Sequence, residues 1–224
     1  MSSNAWKKFN ENAEDVDNLI DIYKGLVTVY NETGGGEPDG AGVLFKSAIV
    51  LLVSNWEAYI EDITSEALEH IVRESKNSSG IPKEIKKKIR SAILAEKNEI
   101  EMWNLADDGW RDYLLKRLSH YKSERNKNFN SPKSTKTIEF IRDNLGIDDI
   151  STYWIPDKNH PEDIKKELDK FIEVRGSIAH RGKIQVTIDL AYVKKHLKLI
   201  RYIASITGGK ISTHVKRITG KALW

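Results

Sequence analysis

The sequence predicts an all-α protein whose 224 residues form a single domain built as a helical bundle. Three observations lead to this fold class. Apolar residues recur three and four positions apart in almost every segment, which is the spacing of one helix face. Glycine and proline interrupt these segments at a few points, where helices are expected to end. The chain is long enough to bury a core without disulfides, and it contains no cysteine.

The first helix is predicted from an apolar stripe that begins at Val16 and continues to Tyr30. The stretch 33–40 follows it and contains four glycines and a proline. Because the glycines are flexible and Pro38 cannot continue a helix, a loop is predicted there.

A long second helix is predicted over 41–76. Its first half is apolar on nearly every side, which is typical of the central, buried helix of a bundle. Ser47, Ser54 and Glu61 recur every seven residues, with Glu57 between the last two. These residues predict a polar stripe along an otherwise apolar helix.

The region 81–159 is less regular and is interpreted as an insertion-like helical region within the domain. Shorter helices are predicted around 85–97, 110–121 and 138–145, and Gly146 ends the last of them. The polar stretch 126–136 is predicted to be a loop. Four to five helices of the whole chain are expected to form the core of the bundle.

The last third of the chain predicts two further helices. Pro161 is favourable in a first helical turn, and Gly182 is a plausible end for the helix that follows. Asp189 can open the final long helix, whose apolar residues are again spaced three and four apart. The glycine pair at 208–209 is predicted to break this helix and to leave a short basic helix behind it.

The net charge of +3 is unevenly distributed along the chain. From Val174 onward there are eleven lysines and arginines and one acid, a net charge of +10, whereas the first 173 residues carry −7. A basic segment on an acidic body indicates a phosphate-rich partner.

Several classes of protein are excluded by residues that the sequence lacks. Without cysteine there are no disulfides, zinc–thiolate sites or cysteine nucleophiles. No His, Asp and Glu grouping has metal-ligand spacing, and no glycine-rich phosphate-binding motif occurs, so no metal or other cofactor is expected. The N-terminal segment is polar, and the longest apolar run, 48–53, is too short to span a membrane. We therefore expect a cytoplasmic protein with no membrane partner.

The most informative segment is 173–182, which places Arg175 and His180 five positions apart near a predicted helix end. Taken alone, it is more simply interpreted as a basic helix end, because the helix dipole favours cations there. The upstream segment 51–62, LLVSNWEAYIED, adds a second signal. In this order the two segments resemble the HEPN superfamily (higher eukaryotes and prokaryotes nucleotide-binding), and in particular its RiboL-PSP-type branch.

The resemblance implies a metal-independent endoribonuclease of toxin or phage-defence type. In that family's mechanism Arg175 would stabilise the phosphate and His180 would transfer the proton of the RNA 2′-hydroxyl. The products would be 2′,3′-cyclic phosphate and 5′-hydroxyl ends. The resemblance also implies RNA as a partner, a homodimer, and control by an antitoxin or another defence-system protein.

Helix geometry is consistent with a dimer. Five residues rotate about 500° around a helix axis, so positions 175 and 180 lie about 140° apart and do not easily converge on one phosphate. An isologous contact between two chains would bring both Arg175 and His180 pairs around one cleft.

Other residues are candidates for supporting roles. The polar stripe predicts Ser54 and Glu57 at the cleft, although Glu57 is equally well interpreted as a structural partner of a lysine or of Arg175. Ser177 could contact phosphate but is more simply an ordinary helix serine. The candidate RNA contacts are basic residues of the C-terminal segment: Arg181, Lys183, Lys194, Lys198 and Arg201.

Two alternatives to an RNase stay open from the sequence. Gly176 departs from the family, in which Asn, Asp or His often follows the arginine, and this favours a non-catalytic HEPN-like module that binds RNA or protein. Residues 203–217 loosely suggest a helix-turn-helix with the glycine pair in its turn, which would indicate a DNA-binding regulator.

Overall fold

The computed structural model describes residues 2–32, 38, 40–95, 99–155, 163–180 and 186–224. These residues form seven α-helices and three short 3₁₀ segments, and none of them forms a strand, which confirms the all-α fold class. The 3₁₀ segments are Ser78–Gly80, Glu99–Leu105 and Ile150–Tyr153. The helices are α1 (Asn4–Glu32), α2 (Ala41–Glu74), α3 (Lys83–Ala95), α4 (Gly109–Asn128), α5 (Ser134–Leu145), α6 (Ile164–His180) and α7 (Leu190–Thr219).

The central helix of the bundle is α2, as its apolar composition predicts. It contacts α1, α4, α5, α6 and α7, and the side chains of Trp56, Ile60 and Ile63 on it are completely buried. The indole Nε1 of Trp56 also donates a hydrogen bond to the carbonyl oxygen of Pro132 at 3.2 Å. Elements distant in sequence are therefore assembled around this one helix.

By length and composition alone, α2 is apolar enough to cross a membrane. Half of its most apolar window is buried inside the fold, and the core helix of a globular protein meets the same criterion. Burial within the bundle accounts for its apolar character.

The first helix, α1, begins at Asn4, well before the predicted apolar stripe. Ala5, Phe9 and Ala13 extend that stripe toward the N-terminus at intervals of four residues, and all three are buried. Glu66 of α2 stabilises the first turn, because its Oε1 accepts a hydrogen bond from the N–H of Ala5 at 2.6 Å. The start of α1 thus depends on a residue from another helix.

The region 81–159 contributes three helices to the same hydrophobic core as α2. Ile85 of α3, Leu114 of α4 and Ile141 of α5 are each no more than 1% exposed. The predicted bounds of the loop 126–136 are wrong: the loop is shorter at both ends, because only residues 129–133 separate α4 from α5.

One carboxylate of α6 forms hydrogen bonds with the start of α5. Asp169 of α6 accepts hydrogen bonds from the N–H and the hydroxyl of Ser134, at 2.7 and 2.8 Å. This side chain satisfies a backbone N–H of the first turn of α5 from a neighbouring helix. The N-terminal turn of α5 is thereby held against α6.

The glycine pair at 208–209 does not break the last helix, contrary to the prediction, because α7 is continuous from Leu190 to Thr219. Gly208 is buried where α7 meets α2, and a Cβ atom built on it would lie 2.3 Å from the hydroxyl oxygen of Tyr59. A close approach of two helices explains this glycine. The predicted separate basic helix is therefore wrong, and so is the turn that a helix-turn-helix would need.

Candidate functional site

Arg175 lies near the C-terminal end of α6, a helix that packs against α2 and α5. Leu168, Phe171 and Ile172 are buried and fix this helix in the core. The side chain of Arg175 is half-buried, and its Nε is buried without a hydrogen-bond partner. Leaving a buried donor of a charged group unpaired is unfavourable, so Arg175 is a favourable position for an incoming oxygen ligand.

Glu57 of α2 is an acidic group that interacts electrostatically with Arg175. Its side chain is half-buried, and this burial raises the pKa of the Glu57 carboxyl. The positive charges of Arg175 and, to a smaller degree, Lys136 offset part of that rise. The polar stripe of α2 therefore meets α6 at Glu57, and the structure brings these two candidate residues together.

Lys136 of α5 also acts on the Glu57 carboxyl, and it is not among the candidates identified from the sequence. Its Nζ donates hydrogen bonds to the carbonyl oxygen and the side-chain Oδ1 of Asn130, at 2.9 and 3.1 Å. One turn away, Lys133 forms an ion pair with Glu173 of α6 at 2.6 Å. No sequence signal singles out Lys136, because it lies in a segment predicted to be a loop.

The remaining supporting candidates have different surroundings. Ser54 is exposed on α2, one turn before Glu57 and on the same side of the helix. The hydroxyl of Ser177 donates to the carbonyl oxygen of Glu173 at 3.1 Å, which is the usual arrangement of a serine within a helix. A Cβ atom built on Gly176 would meet nothing within 4 Å, so the space beside Arg175 at this position is open.

Three of the sequence-based candidates lie wholly or partly outside the described residues. Position 180 is the last residue of α6, and the side chain of His180 is not among those described. Arg181 and Lys183 lie outside the described residues altogether.

The other candidate RNA contacts are on α7. Lys194 and Lys198 are exposed and one turn apart, so they share one side of the helix. Arg201 forms an ion pair with Asp17 of α1, which gives its charge a structural partner. Lys195 likewise pairs with the buried carboxylate of Glu167 at 2.7 Å. The two exposed lysines are therefore the better placed of these residues to meet a ligand.

The described residues offer no obvious site for a metal ion. Within them, no group of three or more His, Asp or Glu side chains is arranged so that it could hold one. Among the described residues, the carboxylate of Glu57 experiences the positive charges of two cations, Arg175 and Lys136, and an excess of cations suits an anion.

A comparison with models of protein families finds a match to the family described as RiboL-PSP-HEPN over residues 10–212. The matched range contains both the LLVSNWEAYIED segment of α2 and the pair Arg175 and His180. The chain belongs to the RiboL-PSP-HEPN family. No curated protein and no solved structure matches it in the corresponding comparisons.

Membership in this HEPN family confirms the resemblance inferred from the two sequence segments. HEPN domains are helical and are commonly ribonucleases, and members of the family often bind RNA and form dimers. The family therefore indicates an RNA-related function for this chain, of which nuclease activity is the common form.

Proposed function

We propose that this HEPN protein is a metal-independent endoribonuclease of toxin or phage-defence type that works in the cytoplasm as a homodimer. The observation that carries the proposal is the unpartnered, buried Nε of Arg175. The charge of this guanidinium acts on the carboxylate of Glu57, and a second cation, Lys136, acts on the same carboxylate. Such a group is suited to stabilise the negative charge that develops on a phosphate.

The proposed reaction needs only the chemistry of RNA itself. The 2′-oxygen attacks the adjacent phosphorus while His180 of one chain accepts the 2′-hydroxyl proton. The bond from phosphorus to the 5′-oxygen breaks, and the leaving oxygen receives a proton from a second acid. The products are a 2′,3′-cyclic phosphate and a 5′-hydroxyl. Arg175 stabilises the negative charge that develops on the phosphate during the reaction.

The regular geometry of α6 supports a dimeric site. Because α6 is helical through position 180, positions 175 and 180 lie about 140° apart around its axis. Two chains related by a two-fold axis would supply two arginines and two histidines, so one histidine could act as base and the other as acid.

Glu57 and the exposed lysines have secondary roles in this proposal. Glu57 positions Arg175 by its charge, and Lys136 adds a cation on the α5 side of the phosphate. Lys194 and Lys198 would hold the RNA backbone along α7, within the segment of net charge +10. A partner protein that covers this basic surface would keep such an enzyme inactive.

The test is incubation of total RNA with the wild-type protein in EDTA, followed by mapping of the ends. Wild type should yield 2′,3′-cyclic phosphate and 5′-hydroxyl ends, and both His180→Ala and Arg175→Ala should lose activity by a factor of about 100 or more. His120→Ala, at an exposed histidine of α4, is the matched control and should cleave like wild type. Equal cleavage by wild type and His180→Ala would refute the proposal.

Gly176 favours a second candidate function, a non-catalytic HEPN module that binds RNA. The open space at this position leaves the site without a side chain that many family members carry beside the arginine. Tight binding of RNA with no cleavage under any metal-free condition would favour this alternative. The DNA-binding regulator has lost its structural basis, because α7 contains no turn.

A further inference from the structure

An apolar cavity of about 430 Å³ opens between α3, α4 and the 3₁₀ segment Glu99–Leu105. Two side chains at its edge, Leu94 and Met102, are 60% and 56% exposed. Its floor consists of side chains that are each no more than 8% exposed: Ile81, Ile89, Ile93, Trp110 and Leu114. The cavity therefore has a buried apolar floor and an apolar edge that is open to solvent.

In the described part of the cavity lining, the two charged side chains are both cations. Lys86 and Arg90 are one turn apart on α3 and belong to the lining, and no described residue of the lining is acidic. The Nζ of Lys86 also donates a hydrogen bond to the carbonyl oxygen of Ser79 at 3.3 Å, which keeps its ammonium group beside the cavity. One side of the apolar cavity thus carries positive charge.

The apolar floor and the two cations together restrict which kind of ligand this cavity can bind. Cavities of this volume are typical of small-molecule sites, and large exposed apolar side chains around a concave surface indicate that something apolar binds there. Ser78 is the one uncharged polar side chain among the described lining residues. The floor therefore offers almost no hydrogen bonds to a nucleobase or a sugar, whereas an aliphatic chain needs none.

We propose that this cavity binds an amphipathic anion, a medium-chain aliphatic carboxylate or a molecule of the same chemistry. The chain lies on the floor between Ile89, Ile93 and Leu114, and the carboxylate lies beside Lys86 and Arg90. Burial of the chain supplies most of the affinity, and the two cations select an anion over a cation of equal length. The site is independent of Arg175 and His180, so it does not rest on the proposed nuclease activity.

The test is calorimetric titration of the full chain with dodecanoate, dodecylammonium and octanoate, each below its micelle concentration. Dodecanoate should bind with one site per chain, octanoate more weakly because it buries fewer methylenes, and dodecylammonium more weakly because of its charge. The double variant Lys86→Glu, Arg90→Glu should weaken dodecanoate binding roughly tenfold and strengthen dodecylammonium binding.

Lys88→Glu provides the matched control, since Lys88 is an exposed lysine of the same helix outside the cavity lining. It makes the same charge change as Lys86→Glu and should leave dodecanoate affinity within about twofold. Three results would overturn the proposal: no dodecanoate binding by wild type, equal weakening by Lys88→Glu and the double variant, or no preference for the anion. Each variant is expected to fold, because these exposed positions are not part of the core. Circular dichroism of each variant checks this.

Discussion

The side-chain hydroxyl of Tyr59 lies so close to Gly208 that a Cβ atom on residue 208 would be only 2.3 Å from the hydroxyl oxygen. The same hydroxyl donates a hydrogen bond to the carbonyl oxygen of Ala204 at 2.9 Å. Burial raises the pKa of Tyr59 well above its ordinary value, so the hydroxyl keeps its proton and stays a donor. The contact between α2 and α7 is thus as close as a glycine permits.

The first prediction concerns this contact. Gly208→Ala should lower the free energy of unfolding by about 1–3 kcal/mol, because the new methyl group overlaps the Tyr59 hydroxyl and forces the helices apart. Urea unfolding measures the change. Gly209→Ala is the matched control: position 209 is exposed and a Cβ there meets nothing within 4 Å, so it should stabilise the protein by about 0.5–1 kcal/mol.

A double-mutant cycle separates overlap from other effects. Tyr59→Phe removes the hydroxyl and leaves the ring carbon at 3.7 Å from the added Cβ, an ordinary contact distance. Gly208→Ala should therefore cost much less in the Tyr59→Phe protein than in wild type. An equal cost in both backgrounds would show that the overlap is not the cause.

The second prediction concerns the charge of Glu57. Its raised pKa means that the folded state disfavours the carboxylate, so Glu57→Gln should raise the melting temperature at pH 7. This difference in melting temperature between Glu57→Gln and wild type should shrink as the pH falls to about 4, because wild-type Glu57 then becomes protonated and is uncharged like glutamine. If Glu57 positions Arg175, the same variant should lose RNA cleavage while it gains stability.

Glu139→Gln serves as the control for this comparison, because Glu139 is exposed on α5. It removes one carboxylate and should alter neither the pH dependence of the melting temperature nor the cleavage rate. A stability gain that is the same at pH 4 and pH 7 would contradict the role assigned to the Glu57 carboxylate.

The third prediction tests Lys136 as a phosphate contact. Binding of RNA whose 2′-oxygens are methylated, and which cannot be cleaved, is measured as a function of salt. Lys136→Ala should weaken binding severalfold and reduce the slope of log K against log salt by about 0.7. Lys133→Ala should change the slope less, because Lys133 is already paired with Glu173. Equal slopes for wild type and Lys136→Ala would remove Lys136 from the proposed site.

The parts of this fold that could be predicted depend on local signals. The sequence predicts that Gly146 ends a helix, and it does so with a φ of 75° directly after α5. The sequence also predicts that Asp189 opens the last helix, and its carboxylate accepts a hydrogen bond from the N–H of Tyr192 at 2.7 Å. In both cases the residue type and its sequence neighbours suffice.

The errors concern residues whose role depends on a distant partner. Gly208 has the composition of a helix break, and only the position of Tyr59 on another helix shows that it serves close packing. The charges of Lys136 and Arg175 both act on Glu57 because α5 and α6 both pack on α2. The polar stripe predicted a role for Glu57 but could not identify the charges that it meets.

The carboxylate of Asp169 has a further consequence for the proposed site. Because it binds both the N–H and the hydroxyl of Ser134, α5 and α6 are locked together two residues before Lys136. The backbone segments that carry Lys136 and Arg175 are therefore linked by these hydrogen bonds close to the proposed site. In the proposed RNase, holding these two segments together would reduce the conformational entropy that is lost when a phosphate binds to the two cations.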